Sequence, residues 1–291
     1  MHATALRRQP LLGLLYMVAA VFFFSAMDAS AKGLTGTYPL VEIVVFSRLV
    51  SPVFALAVAA RKGGLRTLKT RHFGWHAARA AANGVTLATF FGALFFLPLA
   101  DTVAITFVSP LLMCMLAGPM LGERVGLRRW IVIVIGFLGV LVITQPGGTG
   151  FGWGAVLALG AALGDALGIN ITRRMSGSES SHGMLFWSSI LILIGFGFLL
   201  PFGWVTPQGQ DWLIIAVLAG AGSLAQFSLA QAFRYGEVSQ LAPLEYGALI
   251  WAVLLGYIFW NELPSAVVLA GVAILVASSL TVAHQEARAG Q

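Results

Sequence analysis

Charge is scarce in this 291-residue chain: only 10% of residues are Asp, Glu, Lys or Arg, against 58% hydrophobic. A soluble domain of this size needs far more charge to cover its surface. Cysteine is scarcer still: Cys114 stands alone in an apolar run, so no intrachain disulfide forms. The longest polar stretch is the basic loop Arg61–Gly74, which leaves no room for a nucleotide domain, and no G-x-x-x-x-G-K-[ST] occurs. An ATP-driven pump is excluded. All five histidines (His2, His72, His76, His182, His284) fall at tails, loops or helix ends, and there is no H-E-x-x-H. No metal site or other cofactor is expected, and a hydrolytic intramembrane enzyme is left as a remote alternative. Nothing resembles a carbonyl filter, and no strands alternate in polarity as a barrel requires.

What fills the chain is apolar helix. Mean hydropathy is +0.89, and ten runs, each about 20 residues, are long enough to cross a hydrocarbon core ~30 Å thick. They lie near 11–32, 39–60, 76–97, 101–121, 130–145, 152–172, 183–203, 212–233, 238–260 and 264–283. The expected fold is all-α: a polytopic membrane protein with ten transmembrane helices. Its first run, with Arg7 and Arg8 before it and Ala29-Ser30-Ala31 after it, imitates a secretory leader. Asp28 ahead of that site, and the alternation of charge described next, mark it as the first helix.

Net charge is +6 and the pI near 10, yet the basic residues orient the chain rather than bind nucleic acid. Fourteen of the seventeen Lys and Arg fall on alternate connections: Arg7 and Arg8; Arg61, Lys62, Arg66, Lys69 and Arg71; Arg124, Arg128 and Arg129; Arg173 and Arg174; Arg234; Arg288. The intervening loops show Asp101, Asp211 and Glu262. By the positive-inside rule both termini are cytoplasmic, in a multi-pass protein of the cell inner membrane.

The chain divides at Pro146-Gly147-Gly148-Thr149-Gly150 into five-helix units, 1–146 and 150–284. An offset of 139 residues places Glu123 on Glu262, each ending a span. Because five is odd, consecutive units insert upside down relative to one another, the construction common in secondary transporters. Two glutamates capping loops by chance is the plainer alternative.

The resemblance to a family follows from Met27-Asp28-Ala29-Ser30-Ala31-Lys32, Phe46-Ser47-Arg48, Pro98-Leu99-Ala100-Asp101-Thr102, Gly122-Glu123-Arg124, Leu241-Ala242-Pro243-Leu244-Glu245-Tyr246 and Asn261-Glu262. In order and spacing these are similar to EamA-type members of the drug/metabolite transporter superfamily. The resemblance implies inverted five-helix repeats and alternating access around a central cavity. Similar bacterial proteins export amino acids, including aromatic ones, and a branch with a comparable Met-Asp-Ala-x-Ala-Lys segment resembles S-adenosylmethionine uptake carriers. One departure is visible, with Asn261 where the usual turn has Gly.

Charge inside a span is expensive, so it faces protein or a water-filled path. Asp28 and Lys32 are four apart on one face and can satisfy each other, or Lys32 can snorkel outward. Arg48 lies mid-span with Asp28, Glu42 and Asp165 as available carboxylates. It is either a structural ion pair or, through its planar fork, the receptor of a substrate carboxylate. The candidate substrate-binding residues are Asp28, Arg48, Asn83, Asp165, Asn170, Gln226, Glu245 and Tyr246. Amides of this kind also serve as interhelical contacts. Gly164-x-x-x-Gly168 permits close helix approach, for static packing or for sliding. The expected partners are a small polar solute, membrane lipid and, through a buried carboxylate, protons. In a Cys114→Ser background, a membrane-impermeant maleimide is expected to label Thr4→Cys and Gln291→Cys from the cytoplasmic side and Gly209→Cys from the other. Tails labelled from opposite faces would end the even-span topology.

Overall fold

The computed structural model describes residues 10–61, 64–122, 126–145, 152–175, 178–235, 241 and 244–289. The expected division at 146–150, Glu123 and Pro243 lie outside these residues. All regular structure among them is helical, and six helices are long and apolar enough to cross a membrane, with shorter apolar ones beside them. The first is α1, Pro10–Leu34. A second crossing is broken into α2, Leu40–Arg48, and α3, Ser51–Arg61. It is followed by α4, Phe73–Ala93. A further broken crossing is made of α5, Leu99–Thr106, and α6, Ser109–Leu121. Then come α7, Leu127–Thr144, α8, Trp153–Met175, α9, Ser181–Gly197, α10, Asp211–Tyr235, α11, Gly247–Trp260, and α12, Ala266–Ala289. Most expected spans match these within a few residues; span nine is expected from 238, whereas α11 begins at Gly247, and two others differ at their ends. Span seven ends early at Gly197 and continues as a short 3₁₀ turn at Leu200–Phe202, and the last helix runs past 283 to Ala289.

Helices pair along their lengths as α1 with α10, α4 with α8, and α7 with α12. Lipid tails are as apolar as leucine, so close packing of small residues must supply the attraction. At Gly164 a Cβ would stand 3.1 Å from the Ala82 carbonyl, and at Gly168 2.5 Å from Asn83 Oδ1. The Gly164–Gly168 spacing is therefore a tight seat for α4. On α7 and α12, Gly139 and Gly271 face each other: a Cβ on either would come within 2.9 Å of the other's carbonyl oxygen.

The offset of 139 has structural content. It relates Phe107 to Tyr246 (107 + 139 = 246), both at interruptions of a crossing, and the two rings touch with centroids 5.2 Å apart. It also relates Gly122 to Asn261. Both cap their helix in the left-handed region (φ 74° and 55°) and return their N–H to carbonyls at equivalent positions, Ala117 and Gly118 against Gly256 and Tyr257. Asn is the residue after Gly that best tolerates this conformation, which accounts for the departure from glycine.

A second relation, at 141 residues, joins two hydrogen bonds at opposite ends of the bundle. Tyr38 Oη donates to Asp211 Oδ2 at 2.6 Å, and Thr70 Oγ1 donates to Glu179 Oε1 at 2.7 Å. The partners correspond as 38 + 141 = 179 and 70 + 141 = 211. Each bond ties a connection in one half to the start of a helix in the other. Overpacking a tight glycine costs about 1–3 kcal/mol. Gly271→Val is expected to lower the thermal midpoint in detergent, whereas Gly195→Val, which meets open space, should leave it nearly unchanged; equal effects would refute the packing account.

Candidate functional site

The broken crossings deliver polar groups to the interior. Arg48 is the last residue of α2, immediately before the bend at Leu49–Val50. Asp165 lies halfway along α8 and accepts from Ser109 Oγ at 2.6 Å, at the start of α6 just beyond the Phe107–Val108 break. Glu245 precedes the Tyr246 turn and is close enough to Asp165 for the two carboxylates to repel. Tyr246 packs its ring on Phe107. Asp28, Arg48 and Asp165 are part-buried, and Glu245 is exposed.

Arg48 has no carboxylate partner among the described residues, and its buried Nε has no acceptor there. The three carboxylates expected to pair with it are otherwise disposed. Glu42 is buried and its Oε1 accepts the Val205 N–H at 2.5 Å. Asp165 is held by Ser109, and Asp28 makes no ion pair among the described residues. A second cation, Arg79 of α4, is close enough to act on Arg48 electrostatically. Arg79 donates from Nε to Thr172 Oγ1 at 2.7 Å and from Nη1 to the Met184 carbonyl at 2.8 Å, so α4, α8 and α9 meet at its guanidinium. Sequence reading passed over Arg79. The signal was present: with Lys32 and Arg48 it completes the three basic residues that no cytoplasmic connection accounts for.

The neutral candidates divide. Asn83 donates to Ser188 Oγ at 3.0 Å and sits against Gly168, joining α4 to α8 and α9. Asn170 is fully buried and donates to the carbonyls of Met113 (3.1 Å) and Ala166 (3.0 Å). Both tie helices together, and the buried Asn170 Oδ1 is left without a partner among the described residues. Gln226 is half-buried on α10 without a hydrogen bond among the described residues, and keeps its amide free for a ligand.

Lys32 corrects the pairing expected from helical spacing. It neither snorkels nor meets Asp28. It is buried, and Nζ donates to Glu262 Oε1 and Oε2 at 2.7 and 2.8 Å and to the Leu97 carbonyl at 3.1 Å. Trp260 lies 5.5 Å away as a cation–π partner, and Glu262 Oε2 also accepts the Leu99 N–H at 3.2 Å. Nζ thus ties α1 to the turn after α11 and to the connection before α5. A shallow, open depression of about 390 Å³ lies beside it, walled by Thr35, Phe95, Phe96, Trp260 and the ion pair itself. None of the eight expected site residues lines this depression. Among the described residues no group of three His, Cys, Asp or Glu is placed to hold a metal ion.

With this geometry in place, the comparisons are informative. The EamA-like transporter family model matches residues 11–145 and 152–283, once in each half. The riboflavin transporter of Vibrio cholerae is 27% identical, with 98% of this chain and 97% of that protein covered. The S-adenosylmethionine uptake transporter of Rickettsia conorii is 28% identical over 96% and 95%. The pseudopaline exporter of Pseudomonas aeruginosa is 24% identical over 94% and 96%. A solved crystal structure shares the fold with a TM-score of 0.67 at 21% identity, covering 95% of this chain and 98% of its own.

Breaking a buried amide's hydrogen bonds costs about 1–3 kcal/mol. Asn170→Leu is expected to lower the thermal midpoint, while Gln226→Leu, with no such bonds to lose, should not; the reverse order would reassign the two amides.

Proposed function

The chain belongs to the EamA-like transporter family, and from that premise we propose that its cargo is a zwitterionic solute of the amino-acid class, moved by alternating access of two inverted five-helix units. The chain is a membrane-spanning transporter and not an enzyme. The observation that carries the substrate reading is the separation of charge between Arg48 and the carboxylates. Arg48 has no carboxylate partner among the described residues and feels the charge of Arg79, while Asp165 and Glu245, from other elements, feel one another. A guanidinium binds a carboxylate bidentately, and a carboxylate pair receives an ammonium group. An α-amino acid offers both. The Phe107–Tyr246 pair beside Glu245 supplies an aromatic face for an apolar or aromatic side chain.

The direction proposed is export across the inner membrane with cytoplasmic termini, on the resemblance to bacterial amino-acid exporters and the charge map. Proton coupling is assigned to Asp28, Asp165 or Glu245, since a carboxylate that accepts a proton in one state and releases it in the other can tie flux to a pH gradient. S-adenosylmethionine uptake is the second reading. That molecule is itself an α-amino acid carrying a ring system, and the same charged groups and aromatic pair suit it.

Proteoliposomes loaded with amino acids, S-adenosylmethionine or riboflavin, with and without a pH gradient, test this directly. Saturable flux of an amino acid or of S-adenosylmethionine is expected, reduced at least tenfold by Arg48→Ala and by Glu245→Gln with the thermal midpoint unchanged. Flux of riboflavin alone, or a normal rate in an Arg48→Ala protein that is merely less stable, would overturn the carboxylate-receptor role of Arg48.

A further inference from the structure

The Lys32–Glu262 pair lies apart from the Arg48 and Glu245 groups just described, at the end of the bundle opposite the start of α1. A helix of 25 residues spans roughly 37 Å at ~1.5 Å per residue, and Lys32 is in its last turn. The pair has three features that a purely structural contact does not need. It adjoins a shallow, open depression of about 390 Å³. Its two charges both belong to the wall; besides each other they meet backbone groups, the Leu97 carbonyl for Lys32 and the Leu99 N–H for Glu262, with Trp260 against Lys32 and the Asp101 carboxylate close enough to act on both. Finally, the wall between them carries aromatic surface from Phe95, Phe96 and Trp260, with Phe96 well exposed.

The pair also occupies a position that must change if this face opens. Lys32 is on α1, one helical turn beyond Asp28 on the same side, and Glu262 is on the turn after α11. Separating α1 from α11 breaks the pair. Separating charges at low effective dielectric is costly unless other charges replace them. A zwitterion supplies both replacements at once: its carboxylate takes Lys32 and its ammonium takes Glu262. Trp260 can stay against whichever cation is present.

We propose that the depression beside Lys32 and Glu262 is an outer vestibule that binds a zwitterionic solute, whose two charges exchange for the ion pair and thereby unlatch this face of the carrier. This site is additional to the Arg48 and Glu245 groups, and its ligand class rests on the substrate reading above. It gives the carrier a reason to open when solute is present and to stay closed when it is absent. Ions that carry one charge would satisfy half of the pair and leave the other half exposed.

The test uses the full chain in proteoliposomes with Cys114→Ser and Phe96→Cys. Labelling at position 96 by a membrane-impermeant maleimide, applied to the face opposite the termini, reports on the vestibule. L-phenylalanine and S-adenosylmethionine are the probes, and riboflavin is the uncharged control. Either zwitterion is expected to slow labelling at least fivefold and riboflavin not at all. Lys32→Met and Glu262→Gln should each reduce that protection to less than twofold. The double exchange Lys32→Glu with Glu262→Lys, which restores the pair and keeps both charges in the wall, should regain it and excludes simple misfolding. Unchanged labelling with both probes, or protection that survives both single substitutions, overturns the proposal. Flux of the same probes in the same vesicles separates the two readings. Flux without protection removes the vestibule alone, and protection without flux removes the substrate reading alone.

Discussion

A charge in hydrocarbon is tolerated only when it is paired or hydrated, and the arrangement of this chain's interior follows from that constraint. Three basic residues leave the cytoplasmic connections, and each meets the constraint differently. Lys32 is neutralised by Glu262. Arg79 is solvated by a hydroxyl and a backbone carbonyl. Arg48, next to a helix break, has neither an ion-pair partner nor an acceptor for its Nε among the described residues. The first two are satisfied by protein; the third, among the described residues, is not. The carboxylates sort in the same manner. Glu42 is committed to the Val205 N–H and Glu262 to Lys32, whereas Asp28 and Glu245 make no ion pair among the described residues.

Interruptions of helices are what bring these groups inward. A continuous helix satisfies its own backbone and offers only side chains, but a break frees backbone polar groups and redirects the chain. The breaks at Leu49–Val50, Phe107–Val108 and Tyr246 each adjoin a polar or charged side chain: Arg48, Ser109 and Glu245. Two of them are related by the same 139-residue step that relates the left-handed caps Gly122 and Asn261. Sequence identity in these segments is low, but the backbone devices recur. Conformation at a cap restricts residue choice to Gly or Asn and so survives where packing side chains have drifted.

The two ends of the bundle are closed by related contacts of different chemistry. The 141-residue relation maps Tyr38–Asp211 onto Glu179–Thr70, with the second half providing the acid and the first half the hydroxyl in both. At the Glu179 end, His76 also approaches, with Nε2 3.3 Å from Glu179 Oε2. At the other end Lys32 and Glu262 add the buried ion pair. Equivalent positions thus hold equivalent elements, while the strength of each closure is set by local residues. Alternating access requires that these closures not be broken together, and unequal closures give one face a resting preference.

Membrane class and the order of the helical elements were legible without coordinates, because hydropathy reports length against a bilayer of fixed thickness. Asp28, Arg48, Asp165 and Glu245 were legible for the same reason: charge inside an apolar run stands out. What each one contacts was not. Periodicity places Lys32 beside Asp28, four residues away, yet its partner is Glu262, 230 residues away. Asn83 and Asn170 read as either ligand groups or interhelical contacts, and only the fold supplies their acceptors, Ser188 and the Met113 carbonyl. Local pattern records which residues must avoid lipid; which of them meet one another depends on how distant helices pack, and only the folded bundle decides that.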